Sequence, residues 1–147
     1  MPNREVRSNI TYAQLRKPAN LEATGSSNYV DLRGYDAVDL IVDFGDVTAA
    51  GGANNFVITV EEKDTAPATA AGYATVAATD LVGTFPTLEN GVTGTVAAVG
   101  YRGSKRYVRV TMTETGTAAA VIGVVAALHL STREPARALS VTTGAAS

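Results

Sequence analysis

The sequence predicts an all-β protein built as a sandwich or a barrel. Apolar and polar residues alternate along several short segments, and this alternation places neighbouring side chains on opposite faces of a strand. Segments rich in glycine, asparagine and threonine separate these strands at intervals of about ten residues, a spacing typical of two packed sheets. No segment carries the i, i+3, i+4 apolar stripe of an amphipathic helix.

The clearest strands in the first half are residues 37–44 and 56–63. In the first of them the apolar side chains share one face, and Asp39 and Asp43 lie on the other, where we expect them to meet solvent. Residues 46–55 carry a Gly-Gly and an Asn-Asn pair, which is turn chemistry because both residue types tolerate positive φ. We therefore predict a hairpin with a long loop.

The second half repeats this arrangement with residues 105–113 and 118–130, joined by a compact turn at 114–117. Both faces of residues 118–130 are apolar, so this strand is expected to be central in its sheet and covered on both sides. We predict a second hairpin here. Weaker strands are predicted at residues 28–32, 73–76, 81–85 and 95–99.

The composition limits the classes of protein to which the chain can belong. Its 147 residues fit one domain with its own core. The absence of cysteine excludes disulfide scaffolds, thiolate zinc sites and cysteine nucleophiles. The longest apolar stretch is shorter than the roughly 20 residues of a membrane span, and residues 1–17 lack the apolar run of a signal peptide. We expect a soluble protein with no membrane partner.

The net charge of −2 is unevenly distributed. Residues 1–20 carry four basic and one acidic side chain, residues 21–100 two basic and eleven acidic, and residues 101–147 six basic and two acidic. This favours basic ends that reach acidic patches on neighbouring subunits, although charge balance within one solvated chain would give the same pattern. Nucleic acid is not an expected partner, because the acidic middle would repel phosphate.

We predict three parts on this basis: a basic N-terminal arm (1–20), a β-sandwich domain (21–132) and a C-terminal tail (133–147). The ends supply candidate protein-interface residues. These are Arg4, Arg7, Arg16, Lys17, Arg133 and Arg137.

The sequence contains no recognisable enzyme active site. His129 is the only histidine, and no Gly-x-Ser-x-Gly motif accompanies it, so a structural role is expected. The acidic residues pair as they would in any acidic β protein. Oxygen-bearing residues cluster at 43–55, but their spacing matches no EF-hand loop. Residues 100–105 differ from a phosphate-binding loop because Ser104 precedes the lysine and a strand follows. We expect no catalytic residues, no metal and no cofactor.

The segment Arg106-Tyr107-Val108-Arg109 is the most distinctive one in the chain. On a strand, Tyr107 and Arg109 share a face and Arg106 points the other way. Tyrosine and arginine are enriched at protein interfaces, so all three are interface candidates. An ordinary exposed strand is the alternative.

The order of several segments resembles that of small virion proteins of tailed bacteriophages, the jelly-roll capsid decoration, or cement, type. The segments are Tyr-Val-Asp-Leu-Arg-Gly-Tyr-Asp at 29–36, Asp-Leu-Ile-Val-Asp-Phe-Gly at 39–45, Val-Glu-Glu-Lys-Asp-Thr at 60–65 and Gly-Tyr-Arg-Gly-Ser-Lys-Arg-Tyr-Val-Arg-Val at 100–110. The resemblance covers roughly residues 28–131. It rests mainly on the Arg-Tyr-Val-Arg-Val strand and the Gly-Thr-Ala turn that follows, neither of which is a catalytic motif.

The resemblance implies an antiparallel, jelly-roll-like β-sandwich with extended N- and C-terminal arms. It implies a structural virion protein, assembled in the host cytoplasm, that binds the outer capsid surface and bridges major capsid protein subunits. The expected partners are the major capsid protein and further copies of the chain, as a dimer or trimer. The alanine- and glycine-rich composition departs from the family pattern. A tail or head–tail connector component and a carbohydrate-binding β-sandwich module are the alternatives.

Overall fold

The computed structural model of the protein describes residues 9–49, 53–65, 71–130 and 143–144. Within these ranges the chain is almost entirely β strand, with one short 3-10 turn at Ala78–Asp80. The strands in chain order are β1 (Ile10–Leu21), β2 (Gly25–Ser26), β3 (Tyr29–Asp31), β4 (Tyr35–Phe44), β5 (Thr48–Ala49), β6 (Asn55–Lys63), β7 (Ala74–Thr75), β8 (Leu81–Val82), β9 (Leu88–Glu89), β10 (Thr95–Tyr101), β11 (Tyr107–Thr115), β12 (Ala118–Leu130) and β13 (Thr143–Gly144).

These strands form two antiparallel sheets. Sheet A has the order β1-β12-β4-β10-β8, with β5 beside β12. Sheet B has the order β13-β3-β11-β6-β7, with β2 beside β11 and β9 beside β6. Eight of these strands form the framework and pass between the sheets in chain order: β1 in A, β3 in B, β4 in A, β6 and β7 in B, β10 in A, β11 in B and β12 in A. This is the jelly-roll arrangement, and it confirms the predicted antiparallel β-sandwich.

The core lies between the sheets and is filled by every second side chain of the long strands. Val38, Leu40 and Val42 point inward from β4, as their alternation with polar residues predicts. Full burial of one such aliphatic side chain contributes about 1.5–3 kcal/mol. The largest completely buried side chains come from both sheets and their connections: Leu15, Leu40, Phe56, Leu88, Met112, Ile122 and Leu128.

Neither predicted hairpin forms. Strands β4 and β6 lie in different sheets, and so do β11 and β12, whereas β6 pairs with β11 and β4 with β12. The turns do reverse the chain: Gly116, for example, adopts φ of +71° between β11 and β12, a conformation that glycine accepts readily. After a chain reversal, the next strand can pair with the preceding strand in the same sheet. It can also pass to the opposite sheet and pack against the preceding strand across the core. Each of these strands has an apolar row that faces the core, and crossing places two such rows against each other.

The structure also corrects the N-terminal arm. Residues 10–20, assigned to that arm from sequence, belong to β1, which pairs with β12 from Ile10↔His129 to Leu21↔Ala120. Its inward residues include Leu15, which is buried. Two register shifts between Gln14 and Ala19 interrupt the alternation of apolar and polar residues. The sequence pattern therefore does not predict this strand. Pro18 is accommodated because β1 lies at the edge of its sheet.

Strand β12 is central in sheet A, between β1 and β4, as its apolar composition predicts. The expectation that both of its sides are covered is wrong, because Val121 on the outer side is 48% exposed. Its inward residues, such as Ile122 and Val124, are completely buried. On the opposite face Gly123 lies under Pro18 of β1, so close that a Cβ at this position would be 3.0 Å from the proline ring.

Replacing Phe56 with alanine tests the two-layer core. Phe56 has none of its surface exposed, so Phe56→Ala leaves a cavity and should lower the free energy of unfolding by about 3–5 kcal/mol. The neighbouring substitution Val57→Ala, on the outer face of the same strand, is the control and should cost less than about 1 kcal/mol. Urea denaturation measures both values, and equal losses would contradict the assignment of the two faces.

Candidate protein-interaction surfaces

The residues singled out from sequence fall in three places. Arg16 and Lys17 lie in β1, where the Arg16 Nε donates to the Ile122 carbonyl at 3.3 Å and Lys17 is exposed. Arg106 precedes β11, and Tyr107 and Arg109 lie within it. Four candidates lie outside the described residues: Arg4, Arg7, Arg133 and Arg137.

The outer face of sheet B carries a compact group that we call the tyrosine–arginine cluster, formed by Tyr29, Glu61, Tyr73, Tyr107 and Arg109. The rings of Tyr29 and Tyr107 meet edge to face at 5.7 Å. The Arg109 guanidinium lies 4.0 Å from the centre of the Tyr73 ring and 2.7 Å from Glu61 Oε2. Such cation–π and ion-pair contacts strengthen when water is excluded from them.

The tyrosine–arginine cluster is satisfied mostly within the chain. Only 8% of Tyr107 and 7% of Arg109 is exposed. Glu61 Oε2 accepts hydrogen bonds from Arg109 Nε at 2.7 Å and from Thr111 Oγ1 at 2.9 Å. Burial also raises the pKa of Tyr73, so its phenol stays protonated. The cluster therefore fixes strands β6, β7 and β11 to one another, and little of Tyr107 or Arg109 is left for a partner to cover.

Removal of Glu61 tests whether the cluster is structural. Glu61→Leu leaves the Arg109 charge buried without its carboxylate and should lower the free energy of unfolding by about 3 kcal/mol. The double variant Glu61→Leu/Arg109→Met removes both charges and should recover most of that loss. Urea denaturation measures the three proteins; a double variant no more stable than Glu61→Leu would mean that the uncompensated charge is not the cause.

Arg106 lies at the border of this cluster and holds Asp31. Its Nε and Nη2 donate to the two carboxylate oxygens at 2.9 and 2.7 Å, a bidentate pair. Its guanidinium also lies 4.8 Å from the centre of the Tyr107 ring. The hydrogen bonds from Arg106 lower the pKa of Asp31, against the opposing effect of burial. The pair ties the start of β11 to the end of β3.

The stability contributed by the Asp31–Arg106 pair should depend on pH. The folded-state pKa of Asp31 lies below its ordinary value of 3.8. The pair therefore stabilises the protein above that value, and this stability is lost as the pH falls through the folded-state pKa. Wild type should exceed Arg106→Gln in urea midpoint at about pH 6, and the gap should shrink below 3.8. A gap that stays constant on acidification would contradict this linkage.

The outer face of sheet A has a different character, and we call it the apolar face. Cross-strand pairing aligns Gln14, Val125, Ile41 and Ala98 in one row over four strands. Around this row stand exposed large apolar side chains, which are Tyr12, Val82, Val96 and Val121. Val96 is 60% exposed and Val82 53%.

Two carboxylates and the histidine interrupt the apolar face. Asp39 Oδ2 lies 3.2 Å from His129 Nε2, and half of the Asp39 side chain is exposed. Asp43 is exposed beside Val96, its partner in the β4–β10 ladder. Both aspartates meet solvent, as their alternation in the sequence predicts. The face therefore offers aliphatic surface with negative charge within it.

A solvent-facing side of an antiparallel sheet normally carries polar residues. Exposed Val96, with Ala98, Ile41 and Val125 beside it on the same side of the sheet, departs from that norm. Exposed apolar side chains grouped in this way are typical of an interaction surface. Sequence reasoning did not select these residues, because it took residues 95–99 as a weak strand and considered only charged and aromatic candidates. The available signal was that β10 and β12 are apolar at both odd and even positions.

Among the described residues, no three His, Cys, Asp or Glu side chains are grouped closely enough to hold a metal ion. No helix in the same ranges has the length and apolar character needed to cross a membrane.

Comparison of the chain with known protein families and with curated proteins finds no match.

Proposed function

We propose that the protein is a structural component of a tailed-phage virion that binds the outer capsid surface and stabilises the head by bridging major capsid subunits. Three observations support the proposal. The order of motifs over residues 28–131 resembles that of capsid decoration proteins, the chain has the jelly-roll sandwich that this resemblance implies, and one sheet presents an apolar outer face.

The apolar face carries the proposal. Covering exposed Val82, Val96 and Val121 with a partner removes aliphatic surface from water, at about 25 cal/mol per Å². Asp39 and Asp43 lie on the same face, so the partner surface should place basic groups among its apolar ones. Charge complementarity of this kind selects the partner and fixes its register more than it adds affinity.

Binding of this kind stabilises a shell by mass action. A protein that binds the assembled head and not the separate subunits shifts the equilibrium toward the assembled form, by an amount that grows with its free concentration relative to Kd. Self-association into a dimer or trimer would let each oligomer hold several capsid subunits, and avidity would then exceed the affinity of one site. The two sheets supply a rigid body for this role.

Binding to undecorated capsids tests the proposal. Purified protein should sediment with undecorated heads and not with isolated major capsid monomers. Val96→Lys should weaken this binding about tenfold or more, because it removes aliphatic contact and offers Asp43 a partner within the chain. The matched control is Val57→Lys, the same change on the outer face of sheet B, where the valine is 39% exposed.

The outcomes separate the rival functions. Equal loss from both lysine variants would remove the apolar face from the mechanism. Sedimentation with tails after removal of heads would instead indicate a tail or connector component. Binding to a glycan array without binding to heads would indicate a carbohydrate-binding module.

A further inference from the structure

A cleft of about 300 Å³ lies at the end of the sandwich where β4 begins and β10 ends. Its floor includes Val38 and the ring of Tyr101, both buried. Four basic side chains line it: Arg33, Arg102, Lys105 and Arg106. The volume is at the lower end of the range for ligand pockets, which is about 300–1,000 Å³.

The walls of the cleft are fixed by hydrogen bonds. Tyr101 Oη donates to Glu62 Oε2 at 2.5 Å and accepts from the Lys105 amide at 2.9 Å. Burial raises the pKa of Tyr101, so the phenol keeps the proton that it donates. Gly103 lies directly on the Tyr101 ring, where a Cβ would overlap it. The Arg102 amide donates to the Asp80 carbonyl at 2.7 Å. The loop between β10 and β11 is therefore held in place before any ligand binds.

Two of the four cations are already neutralised. Arg106 pairs with Asp31 and Lys105 with Asp64, each at 2.7 Å. Arg33 and Arg102 are exposed, and neither forms an ion pair with an acid in the described ranges. The cleft is thus lined by two arginines without an ion pair, of which Arg33 also attracts the Asp31 carboxylate at longer range. A guanidinium prefers planar anions that accept two parallel hydrogen bonds, such as a carboxylate.

We infer that this cleft binds an acidic segment of a partner protein, with carboxylates on Arg33 and Arg102. The inference goes beyond the proposed function, because it concerns a second contact at the end of the sandwich and holds whatever the partner is. A nucleic acid fits less well, because a cleft of about 300 Å³ lined by two guanidinium groups without an ion pair accommodates one or two carboxylates but not a phosphate at every position of a strand.

Titration of the full chain with a blocked hexaglutamate peptide tests the inference. Fluorescence anisotropy should detect binding that weakens as salt is added, because screened charges carry it. The double variant Arg33→Gln/Arg102→Gln should lose about tenfold or more in affinity. The matched control, Arg16→Gln/Lys17→Gln, removes two positive charges from β1 and should keep the affinity of wild type. Urea midpoints check that both variants fold.

A charge-reversal variant extends the test to a peptide of the opposite charge. Arg33→Glu/Arg102→Glu should lose hexaglutamate and gain binding of a blocked hexalysine peptide. The inference fails if the cleft and β1 variants bind hexaglutamate equally. It also fails if a single-stranded oligonucleotide binds the wild type more tightly than the peptide does. Because no capsid enters the assay, its result is independent of the capsid-binding experiment.

Discussion

The burial of two facing rows of apolar side chains, one from each sheet, is the constraint on which the rest of the structure depends. The chain has no cysteine to cross-link it, so this contact must supply most of the stability. Completely buried Leu40 and Ile122 on sheet A, with Phe56 and Met112 on sheet B, belong to one continuous core. Once the inward positions are occupied, the alternation of the strands dictates what each sheet shows to the outside.

The outer faces of the two sheets differ in the residues that they carry. On sheet B, Arg109 is stacked on Tyr73 and donates to Glu61, which also accepts from Thr111, so these two charges are satisfied within the chain. On sheet A, the outer side holds exposed Val82, Val96 and Val121 together with partly exposed Asp39 and exposed Asp43. A partner that covers sheet B would gain little from Tyr107 and Arg109, whereas one that covers sheet A would bury exposed aliphatic groups. The contrast, rather than either face alone, favours sheet A as the docking side.

Local pattern predicted the strands well and their neighbours poorly. The alternation around Leu40 and Val60 identifies β4 and β6 because side-chain direction depends only on the backbone of that strand. Pairing depends on residues distant in sequence, and the same turn serves a hairpin or a crossing between sheets. The alternation does not predict strand β1, because register shifts near Pro18 interrupt it. The apolar face is not predicted either, because the sequence alone does not show which valines on the outer side of a sheet are left uncovered.

The uneven charge of the sequence acquires a spatial explanation. Three basic residues of the last third pair with acids of the middle: Lys105 with Asp64, Arg106 with Asp31 and Arg109 with Glu61. Much of the apparent opposition between the acidic middle and the basic region after it is therefore neutralised within the chain. The charged side chains that form no such pair matter for binding, because they are the ones most available to another molecule. Within the part of the chain that the structure describes, Arg33 and Arg102 at the cleft form no ion pair, and neither does the exposed Asp43 on the apolar face. A partner that engages both surfaces must therefore present an acidic segment at one point and basic groups among apolar ones at another.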